Sequence, residues 1–513
     1  MPNIFRHIID SLWPEDSVLR RNRFYLTLSG FILAIAWPPF PLGFIALIAL
    51  IIPLDVISGK KFGPAFKSSY LFAFVYHLFS IYWIAWVTVP GALAAMALIS
   101  LYTAFILAIY SAIYRRFPVP AMALLPFLWV GMEYFRSLLE IAFPWPNLSY
   151  TQHGYLAFIQ ISEFVGDLGI SFIVVFFNIL LWRIWRGKNR FRRAGLALSA
   201  GLIICLPTLY GAHVLGQAPE DHDGPISVAL LQGSVDLETK WDPEMKEFNF
   251  RLYDSLAKAA PPVDLLVWPE TAAPAYLLGN FRYTRMVSQT ARKVKTPMLV
   301  GTLDFNRLSD STYEYFNAAV HFDSDGQHRP PYHKTKLVPF AETVSYGDYV
   351  PWLVNLSLGW SDFEHGRELK VFENDFGNYG TLICYEVIFP EVVNQYIRDG
   401  ADFLINITND TWYGYSSGPY QHAVMAVFRS IENRIYIARA ANSGFSYFVD
   451  KYGRMYNKSG LYEQVILTGN LYPAGELTTF NRTGPVLGRA GLLIIGLLSL
   501  ILAAVWIKEK FWH

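Results

Sequence analysis

The sequence predicts two fold classes in one chain: a polytopic α-helical membrane domain of about eight spans, and an α/β layered domain inserted before the last span. Three observations carry this expectation. Apolar residues make up 53% of the 513 residues and charged ones only 16%. The apolar residues are concentrated before about residue 215 and again after about residue 487. Between about 216 and 485 the charge density and the Gly/Pro punctuation are those of a water-soluble domain, and its length suffices to bury a core.

Seven apolar runs precede the soluble region, at about 24 to 41, 43 to 57, 68 to 88, 91 to 114, 118 to 138, 166 to 185 and 195 to 214, and an eighth lies at about 488 to 507. Such runs satisfy their backbone in lipid only as helices. The first also reads as an uncleaved signal anchor, since no small-residue cleavage site follows it. The predicted organisation is a membrane domain over 1–215, an extracytoplasmic domain over 216–485, and a last span with a short tail over 486–513.

Basic residues orient these spans. Arg20, Arg21 and Arg23 precede the first, and Lys60, Lys61 and Lys67 separate the second and third. Arg115 and Arg116 follow the fourth, the tract from Arg183 to Arg193 follows the sixth, and Lys508 and Lys510 follow the last. The alternate connections, Pro38-Pro39-Phe40-Pro41 and Thr88-Val89-Pro90, carry no Lys or Arg. The positive-inside rule therefore puts both termini in the cytoplasm and the soluble domain outside, which is periplasmic in a cell with two membranes. A formal net charge of +1 gives no reason to expect a nucleic-acid partner.

Within the soluble region, β-like runs at Ile226 to Leu231, Leu265 to Trp268, Met298 to Gly301, Phe316 to Phe322, Gly380 to Cys384, Phe403 to Ile407, Phe445 to Val449 and Val465 to Leu471 alternate with helical patterns. The helical patterns lie near 244 to 259, 281 to 294, 390 to 399 and 420 to 440. Glu270, Lys334 and Cys384 stand at strand ends or in the loops just after them. The chain has two cysteines, and Cys205 falls in the apolar run from Gly201 to Leu206, a membrane span. An unpaired thiol outside the membrane is exposed to oxidation, so Cys384 calls for a chemical role.

The three residues form a chemical set. A thiol attacks as thiolate and needs a base or a cation nearby. Glu270 could take the proton, and Lys334 could stabilise first the thiolate and then an oxyanion, with the Tyr385 N–H. Each has a plainer reading alone: a small core residue for Cys384, solvated loop charges for Glu270 and Lys334, and a helix cap for Glu270 before Thr271.

Taken together, Trp268-Pro269-Glu270, Lys334 with Leu337-Val338-Pro339-Phe340-Ala341-Glu342, and Cys384-Tyr385-Glu386 resemble in order and spacing the Glu-Lys-Cys sites of the nitrilase superfamily. The resemblance implies an αββα sandwich and acyl transfer through a thioester. With the flanking spans, nearly the whole chain resembles the apolipoprotein N-acyltransferases. The matches include Trp37-Pro38-Pro39-Phe40, Tyr82-Trp83-Ile84, Glu133-Tyr134-Phe135-Arg136, Phe143-Pro144-Trp145, Leu231-Gln232-Gly233 and Lys240-Trp241. Further matches are the run from Thr408 to Gly414, Gln421-His422 and the run from Arg439 to Gly444. Ser234 stands where the family often has Asn, and Ala341 where Gly is usual. Carried over, the resemblance makes Glu270 the general base, Lys334 the thiolate and oxyanion stabiliser and Cys384 the nucleophile. Glu342 would orient the lysine, and Trp241, Tyr385 and Glu386 would support the pocket.

The same resemblance implies a phospholipid acyl donor, a diacylated apolipoprotein acceptor and a ping-pong sequence in the bacterial inner membrane. No metal or nucleotide cofactor is expected, because no Cys/His cluster or Gly-rich phosphate loop is present. Nothing requires more than a monomer. The aromatic stretch from Val344 to Gly366 is expected to be an interfacial lid, with Ala272 to Leu278 as a shorter loop beside it. His422 and His153 are expected to lack a catalytic role, since no third residue is seen to orient His422, and Lys336 is expected to be solvated. Two other readings remain: a membrane-anchored amidase or nitrilase that uses water, and a transporter or receptor with a nitrilase-like ectodomain.

Overall fold

The computed structural model describes residues 16–219, 223–309, 311–346 and 362–511. Its first half is helical: α1 (Ser17–Ala34), α2 (Phe62–Ser80), α3 (Val89–Tyr114), α4 (Pro118–Phe135), α5 (Ser162–Arg186) and α6 (Arg190–Gly216). Among the described residues, five helices are long and apolar enough to cross a membrane, not the eight expected. They are α3 to α6 and a C-terminal helix running over Val486–Phe511. The shortfall has a compositional cause. The first turns of α1 hold Arg20, Arg21 and Arg23, and α2 includes Lys67, Ser68, Ser69 and His77, which lower their hydropathy.

The second expected span is broken into a 3-10 turn over Gly43–Leu47 and a seven-residue helix over Ile51–Ile57. A broken helix in apolar surroundings leaves backbone groups without partners, each costly unless a side chain meets it. Asn178 of α5 meets two of them. Its Nδ2 donates to the Ala46 carbonyl at 2.8 Å, and its Oδ1 accepts from the Leu50 N–H at 2.9 Å. Ser29 Oγ of α1 donates to the Ala49 carbonyl at 2.6 Å. The C-terminal helix returns to α4 at a close crossing: a Cβ on Gly131 would lie 2.3 Å from the Gly491 carbonyl carbon.

The soluble half contains β1 (Ile226–Gln232), α7 (Lys246–Ala259), β2 (Leu265–Tyr276), α8 (Phe281–Val294), β3 (Met298–Arg307), β4 (Tyr313–Phe322) and β5 (Tyr332–His333). It continues with β6 (Val371–Phe372), β7 (Tyr379–Ile383), α9 (Pro390–Arg398), β8 (Phe403–Thr408) and α10 (Gly418–Asn433). It ends with β9 (Ile437–Ala441), β10 (Tyr447–Val449), β11 (Met455–Tyr456) and β12 (Val465–Leu471). With these, the C-terminal helix is α11. Two six-stranded sheets form, ordered β12-β1-β2-β3-β4-β5 and β11-β10-β9-β8-β7-β6. The sheets face one another through β2 against β8 and β9. Phe250, Tyr253, Leu256, Val287 and Ala291 of α7 and α8 pack on the outside of the first sheet, and α9 and α10 cover the second. The result is the α/β sandwich expected from the resemblance.

Two local expectations are corrected, and a third falls largely outside the described residues. Helix α10 stops at Asn433, because Arg434 turns left-handed at φ 49° and caps it, and Ile437–Ala441 then forms a fully buried strand parallel to β8. The supposed loop from Ala272 to Leu278 is mostly the second half of β2, and Ala272, Ala273, Ala275 and Leu277 are buried. Most of the expected lid, residues 347–361, lies outside the described residues.

The two halves are locked by ion pairs. Arg429 of α10 lies 3.7 Å from Asp167 of α5, the Asp167 N–H donates to Glu432 at 2.8 Å, and Arg434 pairs with Glu163 at 2.6 Å. In the membrane half, Asn178→Leu should lower the melting temperature of the detergent-solubilised protein, because the Ala46 carbonyl and Leu50 N–H would stay buried without partners, at about 1–3 kcal/mol each. An unchanged melting temperature would show that the broken span does not depend on Asn178.

Candidate active site

The site is assembled where the second halves of the strands in the two sheets approach each other. Strand β2 loses register with β3 between Trp268 and Ala273, and Thr271 adopts φ 47°. Glu270 therefore sits on a bulge inside a strand, not in a loop after it, and no helix follows for it to cap. Gly301 of β3 permits this bulge, since a Cβ there would lie 2.7 Å from the Glu270 Cα and closer still to the Pro269 carbonyl. Lys334 follows the two-residue strand β5, its N–H bonded to the Asn317 carbonyl at 2.9 Å. Cys384 begins a 3-10 turn straight after β7, with φ 52°.

Lys334 is 1% exposed and lies between two carboxylates. Its Nζ is 2.8 Å from Glu342 Oε2, 2.9 Å from Glu342 Oε1 and 3.6 Å from Glu270 Oε1. Asn317 Nδ2 bridges the carboxylates, donating to Glu270 Oε1 at 2.8 Å and Glu342 Oε1 at 3.0 Å. The Val338 N–H donates to Glu342 Oε2 at 2.9 Å, closing the loop that carries both Lys334 and Glu342. Burial alone would lower the lysine pKa, but the charges of Glu342 and Glu270 overcome it and hold the ammonium above its ordinary range. Burial raises Glu270, with Lys334 opposing and Glu342 adding to the rise. Burial and the charge of Glu270 together raise the Cys384 thiol well above its ordinary value, against the pull of Lys334. At rest the site thus holds a protonated thiol, a lysine fixed as cation and a carboxylate whose proton affinity is enhanced.

The expected supporting residues have distinct positions. Glu386 is fully buried; its Oε1 accepts from Tyr332 Oη, the Thr335 N–H and Thr335 Oγ1, all at 2.7 Å, and its Oε2 from the Ile383 N–H at 2.7 Å. It ties the lysine loop to the cysteine turn. Tyr385 Oη donates to the Ala142 carbonyl at 2.7 Å and its ring stacks on Phe143 at 6.4 Å, so this residue joins the site to the membrane half. Trp241 is half-buried against Leu303, Leu337 and Phe363. Lys336 is exposed, as expected, over the Phe389 ring.

Sequence reasoning assigned no role to two groups at the site. Lys240, 1% exposed, donates to the Glu270 carbonyl at 2.9 Å, and burial lowers its pKa to about 7 although Glu270 and Cys384 oppose this. His422 does have an orienting partner: its Nδ1 lies 2.9 Å from Asp410 Oδ1. Their signals were the run Lys240-Trp241 and the Asp410 and His422 positions, but spacing alone did not show that they meet. Two cavities of about 300 Å³ each flank Tyr420 at the junction of the halves, and neither is lined by Glu270, Lys334 or Cys384. Among the described residues no group of three or more His, Cys, Asp or Glu is placed to hold a metal.

A family model described as carbon-nitrogen hydrolase matches residues 227–474, and one described as the apolipoprotein N-acyltransferase N-terminal domain matches 29–180. The apolipoprotein N-acyltransferase of Geobacter metallireducens is 34% identical across 97% of this chain and 98% of its own length. The chain belongs to the apolipoprotein N-acyltransferase family. That of Chlorobaculum tepidum is 32% identical over 95% of this chain and 97% of its own. An amidase from Nesterenkonia sp. is similar over 52% of this chain and 96% of its own, at 19% identity and a TM-score of 0.39. As a member of the N-acyltransferase family, the protein is a membrane enzyme that transfers an acyl chain to an amine of apolipoproteins.

The buried lysine gives a test of the site's electrostatics. The unfolded chain holds the Lys240 proton up to about pH 10, while the folded chain releases it near 7. Between those values the unfolded state binds more protons, so folded stability rises with pH. The melting temperature of the wild type relative to Lys240→Met should therefore climb from pH 7 to pH 9.5, and a constant difference would contradict the assignment.

Proposed function

We propose that the acyl donor is a membrane phospholipid, the acceptor is the α-amine of the N-terminal diacylglyceryl-cysteine of an apolipoprotein, and the chain passes through a thioester on Cys384. In the first step Glu270 takes the thiol proton as Sγ attacks the ester carbonyl carbon. The Lys334 ammonium and the Tyr385 N–H stabilise the oxyanion, the C–O bond breaks, and Glu270 returns the proton to the leaving lysophospholipid oxygen. In the second step the amine attacks the thioester, Glu270 accepts the ammonium proton, and Cys384 leaves as thiolate to be reprotonated. Glu342 orients Lys334, Glu386 fixes the spacing of the two loops, Tyr385 braces the cysteine turn against the membrane half, and Trp241 supports the rim.

The observation that carries this reading is the buried Lys334 held by Glu270 and Glu342, with Cys384 also buried and within their electrostatic reach. A neutral thiol with a raised pKa needs a base of enhanced proton affinity, and burial makes Glu270 one. The membrane supports a lipid donor and a lipidated acceptor, since both keep their chains in the bilayer and a site packed on membrane helices meets them there. The organisation that fits is membrane domain 1–215, catalytic domain 216–485 outside the cytoplasm, and a last span in 486–513, with both termini cytoplasmic. In that arrangement α1, the broken segment from Gly43 to Ile57 and α2 cross as well, giving eight crossings and placing the basic loops inside. The enzyme acts as a monomer.

The test is the first turnover of the full-length enzyme with phospholipid in detergent micelles. Cys384→Ser should form no thioester and no acylated lipoprotein, and Glu270→Gln should slow acylation by about 10²–10⁴-fold. Transfer at the wild-type rate by Cys384→Ser would overturn the reading.

A further inference from the structure

Beneath Cys384 lies a buried polar cluster that the two proposed steps do not use. Its members are Asn406 and Asp410 near the end of β8, His422 at the start of the second turn of α10 and Arg439 on β9, none more than 1% exposed. Arg439 donates to Asp410 Oδ2 at 2.8 Å and to Asn406 Oδ1 at 2.5 Å. His422 Nδ1 faces Asp410 Oδ1 and Arg439 Nη2, each at 2.9 Å. The other ring nitrogen, Nε2, lies 3.3 Å from the carbonyl oxygen of Cys384. A carbonyl only accepts, so Nε2 carries the hydrogen, and Nδ1, left with its lone pair, accepts from Arg439 Nη2, which Asp410 holds in place. Both ring nitrogens are thus engaged, and neither is free to take the proton of the thiol.

The carbonyl so held belongs to a residue in a strained conformation. Cys384 has φ 52°, a left-handed backbone that costs a non-glycine residue about 1–3 kcal/mol and persists only where its surroundings impose it. Side-chain donors to its carbonyl among the described residues are His422 and, at 3.5 Å, Asn406, whose better bond goes to the Leu382 carbonyl at 3.0 Å. The neighbour of His422 is clamped as well. Gln421 Oε1 accepts from Trp83 Nε1 at 3.0 Å and Trp145 Nε1 at 2.9 Å, both from the membrane half, and the Trp145 ring lies 5.3 Å from the His422 ring.

We infer that His422 is a positioning residue for the acyl-transfer reaction: its Nε2–H pins the Cys384 carbonyl and so holds the left-handed turn that aims the thiol, while Arg439, itself held by Asp410, fixes its ring. The inference rests on Cys384 being the nucleophile. The residue touches enzyme backbone and no lipid, so its loss acts on the rate of thioester formation and not on phospholipid affinity. A glutamine side chain can place an amide N–H where the imidazole Nε2–H lies, whereas phenylalanine fills the space without a donor.

The experiment compares full-length wild type, His422→Phe, His422→Gln and Cys384→Ala in micelles, reading the first-turnover rate of thioester formation, the KM for phosphatidylethanolamine and the melting temperature. Misplacement of the nucleophile by an ångström costs about 10²-fold, so His422→Phe should lose about that in rate with KM within twofold of wild type. His422→Gln should recover at least tenfold of the loss. Equal rates for Phe and Gln, a wild-type rate for Phe, or a loss confined to KM would overturn the inference while Cys384→Ala stays inactive. Activity in Cys384→Ala would instead overturn the nucleophile assignment. If His422→Phe does not fold, His422→Gln decides alone: a rate within tenfold of wild type supports the inference, and a rate as low as that of Cys384→Ala overturns it.

Discussion

The constraint on which the rest of the site depends is the burial of one ammonium, Lys334, between the carboxylates of Glu270 and Glu342. Removing ions from water costs several kcal/mol each, and the Coulombic return is adequate only when the remaining hydrogen-bonding capacity is also filled. Asn317 and the Val338 N–H fill much of it here. Because the loop that carries Lys334 and Glu342 is also tied through Glu386 to the cysteine turn, the lysine and the cysteine turn cannot drift apart independently. A polar network of this kind contributes geometry more than stability, and geometry is what a thiol with a raised pKa requires.

The same constraint explains why the membrane half is part of the site and not merely its anchor. The segment after α4 sends the Ala142 carbonyl to Tyr385, the Phe143 ring onto Tyr385 and the Trp145 N–H to Gln421. The residue that follows Cys384 and the residue beside His422 are therefore both braced by the helical region. Ion pairs through Asp167 and Glu163 hold α10 against α5. Ordering at the cysteine turn thus derives from the same packing that holds the α/β domain against the helical half.

Much of this was legible in the residues. Periodicity and turn residues located most strands and predicted α8 to the residue, because its alternation is strong and Asn280 and Lys295 close its ends. The glutamate, lysine and cysteine stood out as a chemical set before any contact was visible. What stayed hidden depends on tertiary contact. The bulge at Glu270 needs Gly301 from the next strand, the end of α10 at Arg434 left no glycine or proline signal, and the broken second span depends on Asn178, far off in sequence. His422 lacked a visible partner because Asp410 is 12 residues away, on a different element. Lys240 entered only as part of the Lys240-Trp241 match, and its burial against the Glu270 carbonyl is what sets it apart.

A thioester in a water-accessible site would hydrolyse, so a transferase must both form the intermediate and keep it for the amine. The most direct measurement isolates the acylated wild-type enzyme after reaction with phospholipid and follows its intact mass in buffer and after addition of a diacylglyceryl-cysteine peptide. The account predicts one acyl chain on Cys384 that persists in buffer over many turnover times and is lost to the peptide amine at the rate of steady-state turnover. An acylated enzyme that decays equally fast with and without the peptide, or a peptide acylated while the enzyme carries no chain, would contradict it.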